Sequence, residues 1–331
     1  MKRIISHRPL FLACLLAILS GACKKKQELA TTDRPTILQY IASDPQLSLL
    51  QMAMLRCDLD TVFSSGGPYT FFCPVDSAFT AAGLTADSIG RYDPKNLTSL
   101  LKYHILAGKF SSQDIIGFLT ANVTSLDSAD KPFISKNYFG IFFNGIGVTE
   151  GDIQLGNGVI QKIQRVAFPP RQTLLQTIDS LPELSYFAAV IRRVPQYNTL
   201  LSKFQPGIPY SSSAPGLPGV TVLAPTNAAF QASTLYPTLD AINQADPTIL
   251  YTVMEGYFLN GNKFTADFLG GFVPGFGKVE LPINRASYEI DKDGVTIIPN
   301  YPPGVFPMII KPNFLCTDGT LQEISEVFIS D

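Results

Sequence analysis

Apolar positions recur three and four apart at Leu47, Leu50 and Met54, and again at Leu184, Phe187 and Ile191. Each stripe predicts one buried face of a helix. Ahead of them, Ser43 with Gln46 and Ser180 with Glu183 have capping-box spacing. Pro45 and Pro182 fall in the opening turn, where a missing N–H is tolerated. A short β-branched or aromatic run follows in each case and ends at Pro74 or Pro225, which cannot continue a central ladder. Asp76 or Asn227 comes next, placed to cap the helix beginning there. Only one of these two side chains is charged, so capping is the role they share, and a general-base or metal role for Asp76 is disfavoured. Farther on, Asn157-Gly158 and Asp318-Gly319 predict tight turns, each followed by a strand, Val159–Val166 or Thr320–Val327. The pattern predicts an α+β fold, with helices in the front half of each unit and strands in the back half.

These elements form two series. Thr36–Ser48 is echoed by Thr173–Ser185 at an offset of 137, Thr70–Phe79 by Thr221–Phe230 at 151, and Asn157–Val166 by Asp318–Val327 at 161. Blocks in one order with a growing offset mean duplication with insertions. The first insertion falls on the Pro-, Gly- and Ser-rich stretch 205–218, which reads as a loop. The boundary sits near Pro169-Pro170, giving units 36–170 and 171–331.

The first residues follow a different pattern. Lys2, Arg3 and Arg8 precede an apolar run, Leu10–Leu19, which is too short to span a bilayer. Ser20-Gly-Ala-Cys23 then resembles the lipobox of bacterial lipoproteins, with Leu19 one place farther from the cysteine than is usual. The resemblance implies that 1–22 is a signal peptide, that Cys23 carries the acyl chains, and that 23–35 is a polar tether to the membrane. Losing the three basic residues of 1–22 takes the net charge from −2 to −5. That balance offers no basic surface to nucleic acid.

Composition narrows the chemistry. With His7 in the leader, His104 is the one imidazole after Cys23, which excludes a multi-histidine metal site. There is no Cys-x-x-Cys pair, nucleophile elbow or phosphate-binding Gly-rich loop. Asp291-Lys-Asp-Gly294 reads as a polar turn. Cys57 and Cys73 are expected in the core, and free thiols are favoured over a bridge between them because helix and strand backbones in contact are often too far apart for one. No cofactor is implied. Aromatic residues, 13 Tyr and 23 Phe without Trp, are where binding could live.

At this point the repeated blocks resemble the fasciclin family from about Thr36 to Asp331. Thr70-Phe-Phe-Cys-Pro-Val-Asp-Ser-Ala-Phe79 and Thr221-Val-Leu-Ala-Pro-Thr-Asn-Ala-Ala-Phe230 are similar to the family's first segment. Asn157-Gly-Val-Ile and Asp318-Gly-Thr-Leu are similar to its second. Tyr103-His104 resembles the Tyr-His step between them, which Tyr257-Phe258 replaces in the second unit. The resemblance implies two tandem β-wedge domains, each with a helical layer, and a role in extracellular adhesion or ligand binding. Candidate ligand contacts are Tyr103, His104, Tyr210, Tyr301 and Phe306, although His104 also fits a buried imidazole fixing a strand start. The expected protein is a non-catalytic lipoprotein of the cell envelope, in the outer membrane, with a protein or glycan ligand. The alternatives are an accessory subunit of an outer-membrane uptake or assembly complex, and a carboxylate-based hydrolase, which the missing nucleophile motif argues against.

Overall fold

The computed structural model describes residues 34–115, 117, 120–203, 219–269, 278–280, 288–291, 293–299 and 305–328. Residues 1–22, Cys23, the tether to Asp33, the insertion 205–218, Tyr210 and Tyr301 lie outside the described residues. Arg34–Asp331 forms a compact unit, and within it one order of elements occurs twice among the described residues, with one additional short helix in the second copy.

In the first copy, helices α1 (Ile37–Ser43), α2 (Ser48–Arg56) and α3 (Asp60–Ser65) lead to strand β1 (Tyr69–Pro74). Three more helices follow: α4 (Asp76–Ala81), α5 (Ala86–Arg91) and α6 (Pro94–Tyr103). Strands β2 (Ile105–Ala107), β3 (Thr120–Asn122), β4 (Phe133–Asn137), β5 (Gly140–Phe143), β6 (Ile146–Leu155) and β7 (Gly158–Ile163) close it. The second copy repeats this with α7 (Leu174–Ser180), α8 (Ser185–Arg193), α9 (Pro195–Lys203), β8 (Val220–Pro225), α10 (Asn227–Ala232), α11 (Leu239–Gln244) and α12 (Pro247–Met254). Then come β9 (Phe258–Asn260), α13 (Thr265–Phe268), β10 (Lys278–Glu280), β11 (Tyr288–Ile290), β12 (Ile297–Pro299), β13 (Ile309–Leu315) and β14 (Gly319–Ile324). The fold is α+β, as the residue pattern predicts.

Each copy pairs its first long strand with its last, in parallel: β1 with β7 and β8 with β14. The first sheet runs β2-β1-β7-β6-β5-β4-β3. In the second copy β9-β8-β14-β13 forms one sheet and β10-β11-β12 another, linked by the bridge from Thr296 to Met308. The parallel pair brings the two ends of each copy together at a close approach. A Cβ on Gly158 would lie 2.1 Å from the Tyr69 carbonyl oxygen, and one on Gly319 would lie 2.2 Å from that of Val220. Only glycine fits there. Beside each glycine an Asx side chain caps a helix: Asn157 Oδ1 accepts from Ile37 N at 2.8 Å, and Asp318 Oδ1 accepts from Leu174 N at 2.7 Å. The Asn-Gly and Asp-Gly dipeptides thus make their predicted turns and also anchor the chain's entry into each copy.

Two predicted caps belong to other helices. The capping boxes are Thr36 with Gln39 and Thr173 with Gln176, at the starts of α1 and α7. Ile37–Ile41 and Leu174–Ile178 are apolar enough to make helices of their own, so Ser43 and Ser180 fall at helix C-termini and donate to the carbonyls of Tyr40 and Thr177. Asp76 is not the N-cap of α4, a place held by Val75. Its carboxylate turns to the start of α2, accepting from Leu49 N at 2.8 Å and Ser48 Oγ at 2.6 Å. Asn227 does the same for α8 through Tyr186 N at 2.9 Å. The shared role is capping, exerted across the helix layer rather than within one helix.

Helices pack on one face of the β1–β7 pair, over Leu50, Met54, Phe71, Phe79 and Ile160. Phe72, Tyr103, Phe143 and Ile163 fill the other face. Cys73 is buried and Cys57 caps α2 half-buried, outside the core expected for it; both are free, as is Cys316. Asp293 accepts from Val295 N, Thr296 N and Thr296 Oγ1, so this part of the Asp291–Gly294 stretch is a self-satisfied turn.

Candidate functional site

Of the candidate contacts, Tyr103 and His104 are both buried, at 0% and 1% exposure, which fits the buried imidazole also expected of His104 and leaves neither side chain at the surface. The end of α6 carries them beneath the sheet, where the Tyr103 hydroxyl accepts from Asn144 Nδ2 at 2.8 Å. His104 Nδ1 lies 2.8 Å from the Leu100 carbonyl oxygen, which assigns the ring proton to Nδ1. Nε2 then accepts from Ala167 N at 3.1 Å. Burial depresses the imidazole pKa to about 4, outweighing the bond to Leu100, so the ring is neutral at neutral pH.

The second copy shows what this ring is for. Strand register pairs Phe71 with Ile105 and Val222 with Phe258, which puts Tyr257 rather than Phe258 in the place of His104. The Tyr257 hydroxyl accepts from Phe328 N at 2.7 Å and donates to Phe328 O at 2.6 Å. Residues 167 and 328 are equivalent, 161 apart, each leaving the last strand of its copy. The imidazole and the phenol therefore do one job with different chemistry: each pins the segment that exits the sheet. Buried donors need acceptors, and both copies supply one.

Other duplicated positions follow the same logic. Thr70 Oγ1 bridges Gly108 O and Phe110 N, and Thr221 Oγ1 bridges Gly261 O and Lys263 N. Gln161 Oε1 accepts from Asp152 N at a bulge residue of positive φ, and Gln322 Oε1 accepts from Asn313 N at its counterpart. One ion pair is inverted. In the first copy the buried Lys162 ammonium meets Asp44 at 2.5 Å and Glu150 at 2.8 Å. Desolvation works against its charge, but the two carboxylates outweigh it and hold its pKa up. In the second, the cation is Lys311, half-exposed, and the buried partner is Glu323 at 3.3 Å. Burial raises the pKa of Glu323, and that of Asp318 to about 6.

What reaches the surface lies elsewhere. Tyr138 and Phe139 project from the β4–β5 turn, Tyr138 at 90% exposure. Phe306, also exposed, precedes β13. The copies meet directly through Asn137 Nδ2 to Ala266 O at 2.7 Å, Asn313 Nδ2 to Gly145 O at 3.2 Å, Thr120 to Asp267, and the rings of Phe133 and Phe264 5.5 Å apart. Where the connecting segment crosses, a cleft of about 520 Å³ opens between α6, Phe168–Gln172 and the end of β13. Arg171 reaches back to Asp130 and to Ser99 Oγ, and its other side faces the cleft. The sequence reading missed this cleft. Its one advance signal was Phe168, an apolar side chain left at the Pro169-Pro170 boundary.

Residues 45–169 match the fasciclin domain. Protein sll1483 of Synechocystis sp. is 30% identical over 143 residues, covering 43% of this chain and 77% of that protein. The chain belongs to the fasciclin-domain family. The cell surface glycolipoprotein MPB83 of Mycobacterium bovis is 32% identical over 136 residues, or 40% of this chain and 59% of that protein. Among solved structures, a FAS1 domain pair from the insect cell adhesion molecule fasciclin I aligns with 84% of this chain and 95% of its own, at 16% identity and a TM-score of 0.39.

Proposed function

We propose that this fasciclin-type protein is a non-catalytic binding component of the cell envelope. In this reading Cys23 is acylated after removal of 1–22, residues 23–35 form the tether, and the units 36–170 and 171–331 are two fasciclin domains. The protein sits in the outer membrane and engages a macromolecular ligand. The observation that carries the reading is the similarity to a cell surface glycolipoprotein in a chain that itself contains Ser20-Gly-Ala-Cys23. The described residues contain no helix long and apolar enough to cross a membrane, so lipid is the attachment proposed. The repeated topology supports the second domain, since its strands, caps and pinned exit match those of the first.

Mass spectrometry of the N-terminal peptide from detergent-extracted membranes tests the anchor. The expected result is a mature chain starting at an acylated Cys23, with Cys23→Ser released from the membrane fraction. An unacylated, cytosolic chain retaining 1–22 contradicts the reading.

A further inference from the structure

Exposed aromatic side chains gather at one end of the first copy. Tyr138 and Phe139 are 90% and 60% exposed at the β4–β5 turn, and Phe110, after β2, is 38% exposed. The two loops are tied to each other and to the body of the fold. Lys136 Nζ donates to Ser112 O, and Thr70 Oγ1 accepts from Phe110 N at 2.8 Å. Asn137 braces the turn, its Oδ1 accepting from Phe139 N at 2.8 Å while its Nδ2 donates to Ala266 O. Rings presented outward on a fixed backbone enter an apolar medium with little further ordering.

The topology identifies this end. Strands β4 to β7 run antiparallel in succession, so the β4–β5 and β6–β7 turns lie at the same end of the sheet. Gly108 N donates to Pro68 O at 2.8 Å beside the start of β1, and Tyr69 pairs with Gly158 just after the β6–β7 turn. The described chain enters here as well, since Gly156 N donates to Pro35 O at 3.0 Å. Cys23 lies eleven residues before Arg34, a reach of about 40 Å at full extension. An acylated Cys23 therefore keeps this end within that distance of lipid. So short a tether gives the bilayer a high local concentration, and a weak contact suffices.

The residues suit a lipid surface. Gly108–Phe110 and Lys136–Gly140 carry Lys109 and Lys136 and no acidic residue, and Lys109 is exposed beside the rings, where a lipid phosphate would meet it. Carboxylates that border these loops are engaged: Asp114 by Ser111, Asp152 by Ser112 and Glu150 by Lys162. Tyrosine and phenylalanine settle at the boundary between headgroups and acyl chains. A ring as open as Tyr138 stands on a protrusion, which a deformable partner accommodates. The second copy lacks the set, for Lys263, held by Thr221 as Phe110 is by Thr70, stands in place of that ring.

We propose that this end of the first copy docks on the bilayer that holds the anchor. Tyr138 and Phe139 insert at headgroup level, with Phe110 and Lys109 beside them. The inference rests on the lipid anchor proposed above and adds a protein surface to it.

The test exploits the absence of tryptophan from the chain. Phe139→Trp supplies a single reporter, and Ile249→Trp on α12, at a position also 60% exposed, supplies the control. Each full chain is extracted in detergent and reconstituted into phosphatidylcholine vesicles, with and without bromine on the acyl chains. Emission from Phe139→Trp should shift to the blue and lose most of its intensity to the brominated lipid, whereas that from Ile249→Trp should change little. Phe110→Ser and Tyr138→Ser, each added to Phe139→Trp, should weaken the quenching. Tyr138→Trp is a second reporter if Phe139→Trp fails to fold. A chain that floats with the vesicles while its tip reporter is quenched no more than the control overturns the docking and leaves the anchor standing. A chain that does not float contradicts the anchor, and the docking falls with it. Protection of the tip reporter from acrylamide in native membranes but not in pure lipid assigns the tip to a protein partner and also overturns the proposal.

Discussion

The two copies share a frame but not its chemistry. Where the first pins its exit segment with the neutral ring of His104, the second uses the phenol of Tyr257. Where the first caps its entry helix with Asn157, the second uses Asp318. The buried member of the strand-pair charges is a lysine in one and a glutamate in the other. Each position keeps its geometric task through a change of residue type, and this marks the task as structural. A histidine that looks functional in a single copy becomes intelligible once its partner is placed beside it.

Buried groups around the exchanged positions respond to acid in opposite directions in the two copies, although Glu183, Asp246 and Asp293 of the second copy are lowered as carboxylates of the first are. His104 is depressed to about 4, and Asp44 and Asp152 are also lowered, in Asp44 because Lys162 outweighs desolvation and in Asp152 because the Ser112 and Gln161 bonds do. For each of these groups the unfolded chain binds protons more readily, so the first copy loses stability as pH falls through these values. Asp318 and Glu323 are raised by burial, so their contribution is full at low pH and is lost as pH rises through their folded values.

Four experiments would break or sharpen this contrast. The largest effect is expected from Gly158→Ala and Gly319→Ala. Either forces the parallel strand pair apart, and each should cost about 3 kcal/mol or more in denaturant unfolding. Comparable losses in both copies are expected; a silent substitution in one would end the equivalence. Next, Lys162→Met strands Asp44 in a place 10% exposed, at a cost of about 3–5 kcal/mol. Lys311→Met should cost about 1 kcal/mol, because that lysine is half-exposed and Glu323 can take a proton. Third, lowering the pH from 7.5 to 5 should remove about 2 kcal/mol from the first copy through His104 alone, and His104→Tyr should abolish most of that dependence in a pH series of thermal melts. Smallest, Asp318→Asn should stabilise the second copy by about 1–2 kcal/mol at pH 8 and have little effect at pH 4, by the same melts.

Much of the frame was legible in the sequence. The Leu47–Met54 and Leu184–Ile191 stripes, the strand ends at Pro74 and Pro225 and the Asx-Gly turns depend on spacing within a short window, and spacing is what a sequence displays. Misplaced features depend on what lies across the fold. Asp76 and Asn227 cap a helix 27 and 41 residues away, and nothing local distinguishes that from capping their own. Alignment by residue type paired Tyr257 with Tyr103, whereas strand register pairs it with His104. Exposure is a property of packing, so spacing could not sort the candidate contacts: Tyr103 and His104 are inside and Phe306 is exposed, while Phe168 and Phe314 stay open at a cleft that exists only once the copies meet.

Hydrogen exchange at two amides tests the equivalence of the pins most directly. Protection factors for Ala167 and Phe328, corrected for intrinsic rates, should both be high at pH 7. At pH 5 that of Ala167 should fall, because an opening that frees His104 lets it take up the proton that the buried ring, at about 4, still refuses, while that of Phe328 holds. Equal behaviour of the two amides across this range, or an unprotected Ala167 at pH 7, would contradict the account.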